Sequence, residues 1–164
     1  MIWSVSWLLC ARSVPWMNKT TYEQELAQQG FLFYTTVGRS MRPFLRSGED
    51  LIRIEKRGEG RMKTGDVVLY RRKSGKYVLH RIVRVRERDY VLCGDNCWQL
   101  EPGIHDEQIL GVLRTVIRNG KPLDVNSFGY RVKVHLWWAI YPVRVVYLWC
   151  RDQFNKCWKA LKNR

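Results

Sequence analysis

Ser40 has the setting that best suits nucleophilic chemistry in this chain. It lies in the segment GRSMRP (residues 38–43), directly after an apolar run, where a bend can project its hydroxyl. Serine alone is a weak nucleophile and needs a neighbouring base to take its proton. An imidazole can do this near neutral pH. Of the three histidines, His80 lies in a predicted strand, His105 in a turn-like stretch and His135 in an apolar C-terminal segment, so His80 is the candidate base.

Structural interpretations of the same residues remain open at this point. Ser40 could be only a turn residue. His80, taken alone, is more typical of a histidine that simply fills a strand position. Lys73 and Lys76 are alternative bases, but they lie in the turn KSGK among like charges, where a solvated side chain is the usual outcome.

The composition predicts a small basic domain. The chain has 164 residues, 46% of them apolar, and Lys+Arg 29 against Asp+Glu 15 gives a net charge of +14. That content can build one core and excludes a wholly disordered chain. The positive charge favours an anionic partner, either nucleic acid or a phospholipid surface. Seven of the eight tryptophans, all but Trp98, lie in the outer segments beside basic residues, a pattern similar to membrane-interface belts.

The cysteines do not indicate a metal site. Five cysteines are an odd number, which argues against a closed disulfide framework. Cys93 and Cys97 have no second Cys or His pair at zinc spacing. We therefore predict no metal and no cofactor, and interpret the cysteines as buried apolar residues or as free thiols in a reducing compartment.

The elements that must position Ser40 and His80 are mostly strands. Thr20–Gly30 carries capping-box spacing and a C-terminal glycine, which predict a short helix. Asn119-Gly120 is a hairpin signal. The predicted strands are residues 31–37, 66–70, 77–85, 90–93 and 109–117. The short turns between them predict a mainly β fold, with a coiled or barrel-like antiparallel sheet.

We divide the chain into an N-terminal extension (1–19), a catalytic domain (20–129) and a Trp-rich, basic, helical segment (130–164). The extension lacks a basic region before its apolar run and is too short to span a bilayer. Residues 134–150 are the most hydrophobic segment, but Pro142 and Arg144 argue against a spanning helix. Two interpretations remain: a helix lying on an anionic membrane, which we favour, or a helix docked on the core.

Four segments in order resemble the conserved boxes of signal peptidase I, and of the related self-cleaving SOS-repressor peptidases. They are GRSMRP (38–43), GDVV (65–68), YVLHRI (77–82) and GDN (94–96). The resemblance covers roughly residues 31–117. The typical bacterial enzymes carry Lys where this chain has His80, so the chain is more similar to the archaeal and endoplasmic-reticulum-type enzymes with a Ser-His pair.

The resemblance implies a serine endopeptidase that cleaves a signal or leader peptide after small residues. Ser40 would be the nucleophile, His80 the general base, and Asp95 the carboxylate that orients the imidazole. The backbone N–H of Ser40 would bind the oxyanion, with Gly38 shaping that hole. The substrate would bind as an added β-strand. Met41 and Phe44 are position-based candidates for the apolar groove.

The same residues leave alternatives for function and location. A catalytically idle module that binds a membrane surface would keep Ser40 and His80 as remnants. A self-cleaving repressor is disfavoured, because the residues before Ser40 leave no room for a helix-turn-helix and contain no Ala-Gly or Cys-Gly bond. Nucleic acid is accordingly not the expected partner. Signal peptidases usually have an N-terminal anchor before the serine box, whereas residues 20–30 look polar, so we expect peripheral or C-terminal membrane association, with a cytoplasmic location as the alternative.

Overall fold

Eight strands form one antiparallel sheet in the computed structural model, which describes residues 21–162. Their spatial order is β1-β2-β7-β3-β4-β5-β6, and β8 pairs with the outer half of β7. The sheet is not closed, because β1 and β6 are separate edges, so it is an open sheet and not a barrel. The strands are β1 (Phe31–Thr35), β2 (Leu51–Lys56), β3 (Val67–Arg71), β4 (Tyr77–Val85), β5 (Tyr90–Cys93), β6 (Glu101–Ile104), β7 (Ile109–Arg118) and β8 (Lys121–Asp124).

A short helix, α1 (Tyr22–Gln29), precedes the sheet as predicted. Thr21 and Gln24 form a reciprocal capping box, and Gly30 ends the helix with φ of 76°. Thr20 and Glu23 have the same capping-box spacing in the sequence, but Thr20 lies outside the described residues, as does the N-terminal extension. Buried Leu26 anchors α1 on the core.

Two of the predicted strands, β4 and β5, have the expected bounds, and Asn119-Gly120 makes the expected hairpin between β7 and β8 with φ of 51° and 73°. Three strands were not predicted. In β2, buried Ile52 and Ile54 alternate with charged residues, which obscures the strand among its basic neighbours. Both β6 and β8 are short and contain a proline, which is tolerated at sheet edges.

The core lies on both sides of β3. Val67 and Leu69 pack in one apolar cluster, whereas Val68 and Tyr70 pack in a second. Successive strand residues point to opposite faces of a sheet, so a strand covered on both faces is a continuous apolar run. This explains why β3 is a continuous apolar run in the sequence.

The C-terminal segment is two helices, where one apolar helix was expected. They are α2 (Phe128–Ala139) and α3 (Tyr141–Lys162), separated at Ile140. Pro142 explains the break, because proline lacks a backbone N–H and is tolerated in the first turn of a helix. Among the described residues, no helix is both long and apolar enough to cross a membrane.

Candidate active site

The Ser40 loop, residues 36–50, connects β1 to β2 and is held by its own hydrogen bonds. Ser47 Oγ donates to the Thr36 carbonyl at 3.1 Å and accepts the Gly38 N–H at 2.9 Å. Gly38 has φ of 108°, a conformation that favours glycine, so the loop can turn just before Ser40. The backbone around Ser40 is thus fixed by local chemistry.

An ion pair between buried Asp50 and partly exposed Arg118 fixes the far end of the Ser40 loop. Asp50 accepts two hydrogen bonds from Arg118, at 2.8 and 2.7 Å, and Arg118 also donates to the Phe44 carbonyl at 2.9 Å. Burial alone would raise the pKa of Asp50, but hydrogen bonds from Arg118 and the Arg46 N–H lower it below its usual value. The Ser40 loop is therefore tied to β7, a central strand.

His80 lies in β4 opposite Val68 of β3, and its side chain is almost fully buried. Burial lowers the pKa of His80 below its ordinary value, while the Glu101 carboxylate acts in the opposite direction. Nδ1 lies 3.1 Å from Glu101 Oε1, but the N–H direction is not aligned for a full hydrogen bond. The imidazole is therefore neutral near pH 7, the form a general base requires.

Glu101, on β6, was not predicted from the sequence. It accepts hydrogen bonds from Tyr70 Oη at 2.7 Å and from Arg72 Nε at 2.9 Å, and also contacts Arg72 Nη2. Burial raises the pKa of Glu101, but these donors outweigh it and hold the pKa below its usual range. The residue is thus an ionised carboxylate beside His80 Nδ1. Its place depends on β6 pairing with β5, and a short edge strand containing Pro102 and Gly103 gives little sequence signal of that register.

Gly94 is where the Ser40 loop, β4 and the GDN segment meet. A Cβ added at Gly94 would lie 2.7 Å from the Ser40 carbonyl oxygen, 2.8 Å from Cys97 Sγ and 3.0 Å from His80 Nε2. The neighbouring Asn96 N–H donates to the Ser40 carbonyl at 2.7 Å. Close approach therefore requires glycine here, and brings the Ser40 backbone close to His80 Nε2.

Asp95 does not have the contacts expected of a residue that orients His80. Its carboxylate accepts two hydrogen bonds from Arg81, each at 2.8 Å, and one from Trp138 Nε1 at 3.2 Å. Its backbone carbonyl accepts from Trp137 Nε1 at 2.8 Å and from Arg144. Asp95 is fully buried, and its carboxylate neutralises Arg81, whose pKa burial lowers and Asp95 raises, with a net increase. The carboxylate at the imidazole is Glu101.

Ser40 and His80 line one cavity of about 680 Å³, together with Gly38, Met41 and Glu101. Its apolar walls are Leu32, Met41, Leu45, Ile54, Leu69 and Leu79. Met41 thus lines the cavity, as expected of a groove residue, although its side chain is largely buried. Phe44, the other expected groove residue, does not line the cavity, because it packs edge-on against Tyr130 and Trp137.

The other candidate bases are placed less favourably. His105 and His135 are exposed, and their Nδ1 atoms lie 3.0 and 2.8 Å from the backbone carbonyls of Arg88 and Arg131. Neither lines the cavity of Ser40. Lys76 does line it, but it is exposed in the turn before β4.

No protein-family model matches the chain, and no curated protein matches its sequence. Function is therefore inferred from the geometry of the site and from the resemblance of its four motifs.

Proposed function

We propose that the protein is a serine endopeptidase similar to signal peptidase I, with Ser40 as nucleophile and His80 as general base. One observation carries this proposal: two residues from separate segments, Ser40 and His80, line the same cavity, and an ionised carboxylate lies at the far nitrogen of the imidazole. A nucleophile, a base and a group that steadies the base are the three parts that acyl transfer by serine requires.

In the proposed reaction, Ser40 Oγ attacks the scissile carbonyl carbon while His80 Nε2 takes the hydroxyl proton. The imidazolium that forms is stabilised by Glu101 at Nδ1, and it then protonates the leaving amine as the C–N bond breaks. Water, deprotonated by His80, hydrolyses the acyl-enzyme and restores Ser40. The required hydrogen bond from Ser40 to Nε2 need not be short in the free enzyme, since such bonds often tighten only when substrate binds.

The oxyanion of this reaction is assigned to the backbone N–H of Ser40. The Gly38 N–H already donates to Ser47, so Gly38 contributes the backbone turn and not a donor. Backbone amides that are fixed before the reaction stabilise the developing charge without reorganisation.

The proposed substrate is an extended peptide with small side chains, such as a signal or leader peptide. In the described sheet β1 pairs with β2 and forms an edge, and Tyr34, Thr36 and Val37 line the cavity at the end of that strand. A peptide strand could add along this edge through main-chain hydrogen bonds. The apolar walls would then take its side chains.

Cleavage of precursors bearing signal peptides tests the proposal. Full-length wild type, Ser40→Ala and His80→Ala are incubated in detergent with such precursors, and cleavage sites are identified by mass spectrometry. Ser74→Ala and His135→Ala are matched controls, because both residues are exposed and outside the cavity.

The proposal predicts cleavage by wild type and both controls and no cleavage by Ser40→Ala or His80→Ala, with all five proteins folded by circular dichroism. Cleavage that persists in folded Ser40→Ala would overturn the mechanism. No cleavage by folded wild type of any precursor or peptide-library substrate would contradict the peptidase assignment and favour the idle binding module.

A further inference from the structure

Six large apolar side chains form an exposed stripe along α3. They recur every three or four residues, or at sums of these steps, so they lie on one helix face. Each is between 62 and 74% exposed, and the row extends about 27 Å at 1.5 Å per residue. The members of this α3 stripe are Val143, Val146, Tyr147, Phe154, Trp158 and Leu161.

The preceding helix continues the apolar surface. Phe128, Val132 and Leu136 recur every four residues on α2 and are exposed, with Phe128 at 84%, and the exposed Ile140 follows at the end of the helix. Soluble monomeric proteins rarely expose a large contiguous apolar patch, and a patch that does occur usually marks a surface that binds a protein or a membrane.

The opposite face of α3 is fastened to the active-site side of the domain. Arg144 and Leu148 are buried, and the Arg144 guanidinium lies 3.9 Å from the Trp137 ring centre and donates to the Asp95 carbonyl. One turn beyond Leu148, Asp152 accepts a hydrogen bond from Trp98 Nε1 at 3.1 Å. These contacts fix the rotation of α3, so the stripe points away from the sheet.

The positive charge of the C-terminal helices favours an anionic membrane over a second copy of this chain as the partner of the stripe. Residues 128–164 contain eight Lys or Arg and one Asp, which is 8 − 1 = +7, half of the net charge of +14. Arg131, Lys133 and Lys156 are exposed on the two helices. A second copy of this chain would bring two such positive segments together, whereas anionic lipid headgroups would neutralise one.

We propose that α3 lies in the surface of an anionic bilayer, with the α3 stripe inserted among the lipid acyl chains and its basic neighbours at the headgroups. A pocket of about 260 Å³ joins this helix to the site, because Arg151 and Asp152 line it together with Ser40 and Asn96. Membrane binding would therefore place Ser40 close to the lipid surface. The proposal does not depend on the peptidase activity, since it concerns binding alone.

Vesicle sedimentation tests the proposal with full-length protein. The probes are vesicles of phosphatidylcholine alone and of phosphatidylcholine with 30% phosphatidylglycerol. The test variant is Phe154→Glu, on the stripe. The matched control is Asn155→Glu, which adds the same charge at the next residue of the helix, exposed and about 100° around the helix axis from Phe154.

Wild type and the control are expected to bind the anionic vesicles, more weakly as salt rises, and the stripe variant to bind at least about tenfold less. Absence of wild-type binding, or equal loss in both variants, would overturn the proposal. So would a wild-type dimer in analytical ultracentrifugation that the stripe variant breaks without any change in vesicle binding, because the stripe would then be covered by a second copy.

Discussion

Two carboxylates lie near His80, and they occupy different surroundings. Asp95 is fully buried, and the hydrogen bonds of its carboxylate come from Arg81 and Trp138. The side chain of Glu101 is 24% exposed and lines the cavity, with one oxygen 3.1 Å from His80 Nδ1. Asp95 belongs to the GDN segment of the family resemblance, whereas Glu101, the carboxylate beside the imidazole, lies outside all four motifs.

The different surroundings indicate different roles: Asp95 stabilises the fold, whereas Glu101 lies at the candidate site. The Asp95 carboxylate neutralises buried Arg81. Its backbone carbonyl accepts hydrogen bonds from Trp137 of α2 and Arg144 of α3, which attach both helices to the domain. Because the Asp95 carboxylate already accepts hydrogen bonds from Arg81 and Trp138, it is not free to turn towards the imidazole of His80. Glu101 is held by Tyr70 and Arg72 but faces the cavity, where it can respond as His80 gains a proton.

The largest expected effect is on stability, from Asp95→Asn. Removing this charge leaves the Arg81 guanidinium buried without an ionised partner, which costs about 3–5 kcal/mol in the free energy of unfolding. Denaturant unfolding followed by circular dichroism measures this cost.

Asp89→Asn is the matched control for that substitution. Asp89 pairs with Arg86 at 3.6 Å near the surface, where an ion pair contributes at most about 1 kcal/mol. Equal losses in the two variants would contradict the structural role of Asp95.

The next effect is on catalysis, from Glu101→Gln. An amide keeps the shape but removes the charge that stabilises the imidazolium, so we expect kcat/KM to fall about a hundredfold, or about 2.7 kcal/mol. The unfolding free energy should fall by less than in Asp95→Asn, because Arg72 is partly exposed and can be solvated. Peptide cleavage assays at fixed pH measure the rate, and an unchanged kcat/KM would exclude Glu101 as a positioning residue.

A smaller effect is a displaced pH profile in the same variant. Burial lowers the pKa of His80, and Glu101 partly restores it. Removing that negative charge, with Arg72 left close by, lowers the pKa of His80 further. Since the proposed mechanism requires the neutral imidazole, the acid limb of kcat/KM should move to lower pH in Glu101→Gln while the plateau falls. A limb that moves to higher pH would contradict the contact.

The smallest effect is expected from Lys76→Ala. Lys76 lines the cavity but is exposed, so it should not act as the base, and kcat/KM should stay within about twofold of wild type. A loss comparable to that of His80→Ala would transfer the role of base to the lysine.

The sequence predicts the elements that have strong local patterns. The apolar run of β3, the β4 and β5 strands, the capped helix α1 and the Asn119-Gly120 hairpin follow from periodicity and turn chemistry, and the structure confirms them. The resemblance also gives Ser40 and His80, which the structure brings to one cavity. The mainly antiparallel sheet is confirmed, but the barrel-like alternative was wrong, because pairing between distant edges has no local signal.

Glu101 could not be predicted for a similar reason. Its approach to His80 depends on two consecutive strand pairings, β4-β5 and β5-β6, and each of them contains a bulge. Each bulge shifts the register by a residue, which the sequence does not display. The break between α2 and α3 does have a local signal in the sequence, because Pro142 both argues against a spanning helix and lies in the first turn of α3.

Covalent capture of Ser40 tests the central claim most directly, because it needs no knowledge of the substrate. An alkyl fluorophosphonate phosphonylates an activated serine, with fluoride leaving and the hydroxyl proton passing to the base. Intact and peptide mass spectrometry of the folded proteins should show one adduct on Ser40 in wild type and in Asp95→Asn, none in Ser40→Ala, and strongly slowed labelling in His80→Ala and Glu101→Gln. A folded wild type that takes up no label at Ser40, or labelling as fast in His80→Ala as in wild type, would contradict it.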